Sequence, residues 1–157
     1  KPVVFIDKSG SMAEPIEYYK NIPKISIAAG LAIALHRKFN ADIYLFDTEV
    51  EKVSPARVIG ILLKIEADGG TNIDPVIEEI AKSYKPTNLY LVISDGITEA
   101  SDENLRTLQN IAKNMKLILI NTRTSYNWVE MLKRYNNVYN VRDVASFERA
   151  VVSSLRG

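Results

Sequence analysis

Short apolar runs recur along the chain, and most of them do not alternate with polar residues. Residues 3–6, 43–46, 89–93 and 117–120 form four such runs rich in β-branched side chains, and residues 138–141 form a shorter, weaker one. Strands that are buried on both faces of a parallel sheet have this pattern. Residues 49–53 do alternate, and they follow a short turn at Asp47 and Thr48. They are therefore predicted to pair with strand 43–46 as an antiparallel edge strand.

Helical periodicity fills the intervals between these strands. Apolar residues recur every three or four positions, which predicts helices at residues 22–39, 55–65, 75–84, 104–113, 127–135 and 146–155. Gly30 in the first helix is expected to let the helix backbone approach the sheet closely. Asp74, ahead of Pro75, is expected to cap the third helix, and Ser101 or Asp102 is expected to cap the fourth.

The alternation of strands and helices predicts the fold class. Such chains form an α/β fold, a doubly wound and mostly parallel central sheet with helices on both faces. About six strands are expected here, one of them an antiparallel edge strand. No internal repeat, linker or low-complexity segment interrupts the chain of 157 residues. A single domain over residues 1–157 is therefore predicted.

Composition narrows the chemistry that such a domain can perform. The 20 basic and 19 acidic residues leave a formal charge of +1, which gives no electrostatic reason to expect nucleic acid as a partner. No run approaches the roughly 20 apolar residues that span a bilayer, so membrane insertion is not expected. The absence of cysteine excludes disulfides, thiolate zinc sites and cysteine nucleophiles, and His36 is the single histidine. A metal ion would therefore be a hard cation held by oxygen.

Polar side chains cluster in the sequence where predicted strands end or helices begin. Asp7 ends the first strand, Ser9 and Ser11 follow it at alternate positions, Asp95 follows strand 89–93, and Thr71 lies between two glycines and a helix. Ligands of open parallel sheets bind at the carboxyl ends of the strands, near the point where strand order reverses. The five residues would supply two carboxylates and three hydroxyls there. That set suits Mg²⁺, which takes about six oxygen ligands and usually keeps several waters.

The same residues carry a family resemblance. Asp7-Lys8-Ser9-Gly10-Ser11, then Thr71 within GGTNI, then Asp95 within SDG, resembles the metal ion-dependent adhesion site of von Willebrand factor A domains. The order and type of predicted elements are similar to that family along essentially the whole chain. The lack of cysteine and the many lysines and isoleucines look like the intracellular branch found in bacteria and archaea.

The resemblance implies a role for each site residue. Ser9 and Ser11 would bind the cation directly, and Thr71 would do so directly or through water. Asp7 and Asp95 would act largely through water and through hydrogen bonds to the hydroxyls. The cation would be Mg²⁺, with Mn²⁺ or Ca²⁺ as alternatives, and a partner protein would supply an aspartate or glutamate to the vacant coordination position.

The function implied by the resemblance is that of a protein-interaction module rather than an enzyme. Three residues, Glu14, Thr98 and Glu99, are expected to form the rim of the metal site and to contact the partner. Relatives of the intracellular branch often work beside AAA-type ATPases in assembling or remodelling complexes, which implies such a partner and a cytoplasmic location.

Several other interpretations of these residues stay open at the level of sequence. A magnesium-dependent phosphohydrolase or phosphotransferase would also use an aspartate at a strand end, here Asp7. Such enzymes often carry a second acidic residue two positions later, where this chain has Ser9, and Lys8 is expected to point away from Asp7. A serine hydrolase is disfavoured because Gly-x-Ser-x-Gly is absent. A capped polar loop is the structural alternative for residues 7–11. Trp128 is expected in the core, with a partner surface as its alternative.

Overall fold

A six-stranded sheet forms the centre of the structure, a computed structural model that describes residues 1–16, 19–120, 125–142 and 149. In chain order the strands are Pro2–Asp7 (β1), Pro15–Ile16 (β2), Tyr19–Pro23 (β3), Asp42–Phe46 (β4), Val50–Lys52 (β5), Leu89–Ser94 (β6), Met115–Ile120 (β7) and Val138–Val141 (β8). The central sheet has the order β5-β4-β1-β6-β7-β8, while β2 and β3 pair separately. Only β5 runs antiparallel to its neighbour among the strands of the central sheet. The predicted fold class, including its edge hairpin, is confirmed.

Five α-helices cover the two faces of this sheet within the described residues. They are Lys24–Phe39 (α1), Val58–Leu63 (α2), Asp74–Lys82 (α3), Asp102–Ile111 (α4) and Asn127–Arg134 (α5). Buried side chains of α1 and α2 share one apolar cluster, and those of α3, α4 and α5 share the other. Alternate residues of β1 enter the two clusters, which is why residues 3–6 are all apolar. No helix in the described ranges is long and apolar enough to cross a bilayer.

Strand order reverses beside β1. From β1 the chain adds β4 and β5 on one side of it, and then β6, β7 and β8 on the other. The register pairs Ile6 with Leu45 of β4 and with Ile93 of β6, so the carboxyl ends of these three strands lie at one edge of the sheet. The crevice where doubly wound folds bind ligands therefore lies between the ends of β1 and β6.

Helix boundaries differ from the prediction where proline or short-range geometry intervenes. The first helix was predicted from residue 22 but begins at Lys24, because Pro23 disfavours helical dihedrals at the residue before it. Tyr19–Pro23 instead pairs with Pro15–Ile16 in a small sheet that the sequence analysis did not predict. The second helix is shorter than predicted, since Pro55–Arg57 forms a 3₁₀ turn ahead of α2. The predicted helix at residues 146–155 lies outside the described residues.

The two predicted helix caps have different outcomes. Ser101 caps α4 as expected, since its Oγ accepts a hydrogen bond from the backbone N–H of Asn104 at 3.2 Å. The cap predicted at Asp74 is wrong. Asn72 Oδ1 accepts the backbone N–H of Asp74 at 3.0 Å, and Asp74 Oδ1 accepts the backbone N–H of Ser101 at 3.0 Å. The Asp74 carboxylate thus links the starts of α3 and α4 and does not cap α3.

The expectation for Gly30 is also wrong. Gly30 lies on the exposed side of α1, and a Cβ at this position would meet nothing within 4 Å. Small residues do bring this helix close to the sheet, but they are alanines, with Ala28 and Ala32 fully buried. The sequence places an alanine-rich face and a glycine on the same helix, and periodicity alone did not separate their roles.

Candidate metal centre at the ends of β1 and β6

Asp7 has a buried carboxylate that accepts hydrogen bonds from the loop after β1 and from the end of β6. Its side chain is 0 % exposed at the end of β1. Oδ1 accepts the backbone N–H of Ser9 at 2.8 Å, and Oδ2 accepts the hydroxyl of Ser94 at 2.6 Å. Burial raises the pKa of Asp7 above its usual value, against the lowering effect of hydrogen bonds from Ser9 and Ser94. A cation nearby would favour the ionised form of such a buried group.

The two serine hydroxyls lie on one tight loop. Ser9 is 2 % exposed and Ser11 is half-buried, and their Oγ atoms are 3.4 Å apart. The loop turns through the 3₁₀ segment Gly10–Ala13, and the fully buried side chain of Met12 anchors it in the core. The alternation Ser-x-Ser therefore brings both hydroxyls to neighbouring positions.

A second loop is tied to the serine loop through its backbone. Gly10 N–H donates to the carbonyl of Gly69 at 2.8 Å, and Asp68 N–H donates to the carbonyl of Lys8 at 2.9 Å. Gly69 has φ +84°, a conformation that favours glycine. A Cβ on Gly10 would lie 3.3 Å from the Gly69 carbonyl oxygen, so the approach depends on the missing side chain. These contacts set the position of Thr71, two residues further along.

Asp95 completes the predicted set immediately after β6. Its side chain is 0 % exposed, and Oδ1 accepts the backbone N–H of Ile97 at 3.3 Å. The chain then turns at Gly96, which has φ +75°, and its N–H donates to Ser94 Oγ at 2.9 Å. Because Ser94 also donates to Asp7, one serine connects the ends of β1 and β6.

Two oxygens of this cluster have no hydrogen-bond partner. Within the part of the chain that the structure describes, Thr71 Oγ1 and Asp95 Oδ2 are the buried side-chain polar atoms left without one. Leaving such an atom unsatisfied costs about 1–3 kcal/mol, so native proteins usually provide a partner. Both atoms belong to the set that the sequence predicted to bind a cation. A hard cation is a partner that hydroxyl and carboxylate oxygens fit.

The donor set also limits the kind of metal site that is possible. Among the described residues no group of three or more His, Cys, Asp or Glu side chains is placed to hold a metal ion. A cation bound here would therefore depend on the hydroxyls of Ser9, Ser11 and Thr71 in addition to the two aspartates. Such a site has two carboxylates, and its remaining side-chain donors are neutral hydroxyls.

The predicted rim residues lie in the loops around this cluster. Glu14 and Glu99 are exposed, and Thr98 is half-buried. The Thr98 carbonyl accepts the indole N–H of Trp128 at 2.7 Å. Trp128 is 0 % exposed, which confirms that it belongs to the core rather than to a partner surface. Trp128 lies in the first turn of α5, and its hydrogen bond to Thr98 anchors the rim loop to this helix.

Lys24 is a charged residue beside the site that was not predicted from the sequence. Its side chain is 4 % exposed, and its ammonium lies 3.6 Å from Asp95 Oδ2 and 3.6 Å from Glu14 Oε2. One signal was available in the sequence. A lysine in the first turn of a helix is unfavourable beside the positive end of the helix dipole, so it indicates acidic partners outside the helix.

The two glycines discussed above give a matched pair of stability predictions. Gly96→Ala should lower the free energy of unfolding by at least about 2 kcal/mol, from the positive φ and from overpacking. The added Cβ would lie 2.8 Å from Leu119 Cδ1 in the core. Gly30→Ala should raise the free energy of unfolding by about 0.5–1 kcal/mol, because alanine is the better helix former at an open position. Urea unfolding of both variants measures the difference, and equal effects of the two changes would contradict this account.

Solved structures with a similar fold were found, although no protein-family model and no curated protein sequence matches the chain. The conserved hypothetical protein BatB from Bacteroides thetaiotaomicron is similar over 99 % of this chain and 96 % of its own, with 15 % identity and a TM-score of 0.70. A von Willebrand factor type A protein from Catenulispora acidiphila has 16 % identity and a TM-score of 0.67, over 99 % of this chain and 41 % of its own. Proximal thread matrix protein 1 of the mussel byssus, solved with a zinc-occupied MIDAS motif, has 15 % identity and a TM-score of 0.61, over 99 % and 45 %. Identities of this size indicate a shared fold.

Proposed function

Because the chain has the von Willebrand factor A fold, we propose that it is a metal-dependent protein-interaction module. In this function a divalent cation held by Asp7, Ser9, Ser11, Thr71 and Asp95 binds an aspartate or glutamate of a partner protein. The observation that carries the proposal is the pair of buried oxygens without hydrogen bonds, Thr71 Oγ1 and Asp95 Oδ2. Both lie in the residues that match the adhesion-site pattern. A cation would give Thr71 Oγ1 a partner, and it would give a ligand bond to Asp95 Oδ2, which faces the Lys24 ammonium at 3.6 Å without a hydrogen bond.

The charges of the site explain why an outside carboxylate would be bound. Hydroxyl ligands are neutral, and both carboxylate oxygens of Asp7 already accept hydrogen bonds from the protein. A cation that contacts mainly neutral hydroxyls, with the carboxylates acting largely through water, keeps an affinity for a further anion. The cation supplies electrostatic attraction for that anion, and the protein loops fix where the anion can approach. Glu14, Thr98 and Glu99 surround this approach and would select among partner surfaces.

Mg²⁺ is the cation that the donor set favours. Hard oxygen ligands exclude soft metals, and a site with few charged ligands suits a small ion that retains several waters. Mn²⁺ shares this preference for oxygen and offers a magnetic probe, and Ca²⁺ remains an alternative that takes more ligands. The zinc in the mussel protein is a property of that protein.

The proposed function involves no catalysis by this chain. In the alternative phosphohydrolase, Asp7 would have to attack a phosphoryl group, yet both of its oxygens accept hydrogen bonds. The residue two positions later is Ser9 rather than an acid. Lys8, the nearest candidate in sequence to hold phosphate, forms an ion pair with Asp47 at 3.2 Å. These contacts favour the binding module over the enzyme.

The partner that supplies the carboxylate is proposed to be a protein of one class. An AAA-type ATPase that acts on protein complexes in the cytoplasm is the partner class implied by the family resemblance, and its support is that resemblance alone. Binding between the purified chain and a candidate ATPase, measured with Mg²⁺ and again with a chelator, addresses this part separately from the cation site.

Linkage between cation and carboxylate tests the proposed function directly. Calorimetric titration with Mn²⁺ should show tighter cation binding in acetate than in acetamide, after the binding of Mn²⁺ to acetate without protein is subtracted. By reciprocity, Mn²⁺ must strengthen acetate binding by the same factor. Thr71→Ala is expected to reduce this coupling more than it reduces cation affinity in the free domain. Cation binding that is equal in acetate and acetamide would contradict the proposal.

A further inference from the structure

Lys24 places a buried positive charge against the predicted cation site. Its side chain is 4 % exposed, whereas lysines are rarely buried without a charged partner. The ammonium lies 3.6 Å from Asp95 Oδ2, the oxygen that accepts no hydrogen bond. At that distance the two groups attract each other without forming a hydrogen bond. The ammonium and a divalent cation can therefore both interact with the Asp95 carboxylate.

The main chain fixes the start of the Lys24 side chain, and the charges of the site hold its ammonium. It is the first residue of α1, and its backbone N–H donates to the carbonyl of Glu14 at 2.9 Å. The α1 dipole is unfavourable for an ammonium at this end of the helix. The attraction of Asp95 and Glu14 offsets that cost, so the position of Lys24 depends on the charges at the site.

From this geometry we infer that Lys24 is an internal counter-ion that competes with the divalent cation for Asp95. The inference rests on the proposed function for the existence of the cation site. With Lys24 the two aspartates and the ammonium carry a combined charge of about −1 instead of about −2. Lys24 therefore weakens cation binding by the free domain. It also leaves a bound cation with more uncompensated charge, which strengthens the attraction for a partner carboxylate.

Glu14 provides the ammonium with a second acceptor. Its Oε2 lies 3.6 Å from Lys24 Nζ, and its side chain is 69 % exposed, in contrast to the fully buried Asp95. When a cation binds Asp95, the ammonium can remain paired with Glu14. Glu14 thus stabilises the cation-bound arrangement through Lys24, and it is a positioning residue rather than a ligand.

Removing the charge of Lys24 while keeping its length separates competition from a purely structural role. Lys24→Met should bind Mn²⁺ about tenfold more tightly than the wild type, measured by calorimetry. In chelator its melting temperature should fall, because the buried charge of Asp95 loses its counter-ion. If Lys24 were only a structural partner of Asp95, Lys24→Met would lower the melting temperature without tightening cation binding. Lys113→Met, which removes an exposed lysine beyond the opposite edge of the sheet, is the matched control and should leave Mn²⁺ affinity unchanged.

A double-mutant cycle tests the part assigned to Glu14. Glu14→Gln should weaken Mn²⁺ binding by about two- to fivefold in the wild-type background and have no effect in the Lys24→Met background. An equal loss in both backgrounds would mean that Glu14 acts on the cation directly, which overturns its role through Lys24. If Lys24→Met does not fold, Lys24→Gln takes its place in the cycle.

The outcomes distinguish this inference from the proposed function. If neither the wild type nor the Lys24 variant binds Mn²⁺, the cation site itself is wrong and both proposals fail. If the wild type binds Mn²⁺ and the folded Lys24 variant binds it equally or more weakly, competition by Lys24 is overturned while the cation site stands. Tighter binding by the Lys24 variant, with the Lys113 control unchanged, supports both.

Discussion

Ser9→Ala is expected to weaken Mg²⁺ and Mn²⁺ binding by at least about a hundredfold while unfolding stays cooperative. The variant loses a hydroxyl that is almost completely buried beside Ser11, and no other group in the loop can replace it. The backbone N–H of residue 9 still donates to Asp7, so the loop should keep its path. Calorimetry measures the affinity, and thermal unfolding in chelator shows whether the fold is intact.

Ser54→Ala is the matched control for this change. Ser54 is exposed, and its side chain makes no capping hydrogen bond at the 3₁₀ turn that follows it. Its replacement should leave both cation affinity and stability within error of the wild type. If the Ser9→Ala variant is folded and binds either cation as tightly as the wild type, Ser9 is not a ligand of the cation.

Trp128→Ala should lower the free energy of unfolding by about 3–5 kcal/mol, the usual cost of emptying a large buried aromatic site. Trp128 is 0 % exposed in the cluster between the sheet and α5, and its indole N–H donates to the Thr98 carbonyl at 2.7 Å. Urea unfolding should be followed by circular dichroism, because this is the only tryptophan in the chain.

Trp128→Phe separates the packing of this side chain from its hydrogen bond. Phenylalanine keeps most of the buried ring but cannot donate to Thr98, so the loss of stability should be clearly smaller than for alanine. The rim loop should then become more mobile, seen as faster amide exchange at Thr98 and Glu99. A cost below about 1 kcal/mol for Trp128→Ala would contradict the position of this residue in the core.

The sheet could be predicted from sequence because its strands are buried on both faces. Residues in β1, β6 and β7 must be apolar on either side, and such runs differ from both helices and half-exposed strands. The edge hairpin was visible for a different reason, since β5 contains charged residues, and Glu51 and Lys52 are exposed as expected at an edge. Both signals are local to the strand, so no knowledge of distant contacts was needed.

The predicted donors follow from the same topology. Asp7 is the last residue of β1, and Asp95 comes directly after β6. These two strands flank the reversal in strand order, and the register aligns their ends. Parallel pairing therefore brings together residues that are 88 positions apart in sequence. Their convergence could be inferred from the fold class, although the hydrogen bond between Ser94 and Asp7 could not.

The features that were missed depend on contacts between distant segments. Lys24 is adjacent in sequence to no site residue, and only the packing of α1 brings its ammonium to Asp95. Asp74 matches the local pattern of a cap, but the start of α4 competes for its carboxylate. Gly30 is a similar case, because periodicity does not show which side of an apolar helix faces solvent. Sequence patterns of single elements cannot decide such competitions.

A divalent cation is proposed to bind at the carboxyl ends of β1 and β6, and paramagnetic Mn²⁺ can locate it in the folded protein. In amide NMR spectra, substoichiometric Mn²⁺ should first broaden the signals of Ser9, Gly10, Thr71 and Gly96, which lie in the three loops of the site. Signals of Asn88 and Asn114, at the opposite edge of the sheet, should stay sharp. Excess Mg²⁺ should restore the broadened signals. Broadening that begins at other residues, or that spares Ser9 and Thr71, would show that the cation binds elsewhere.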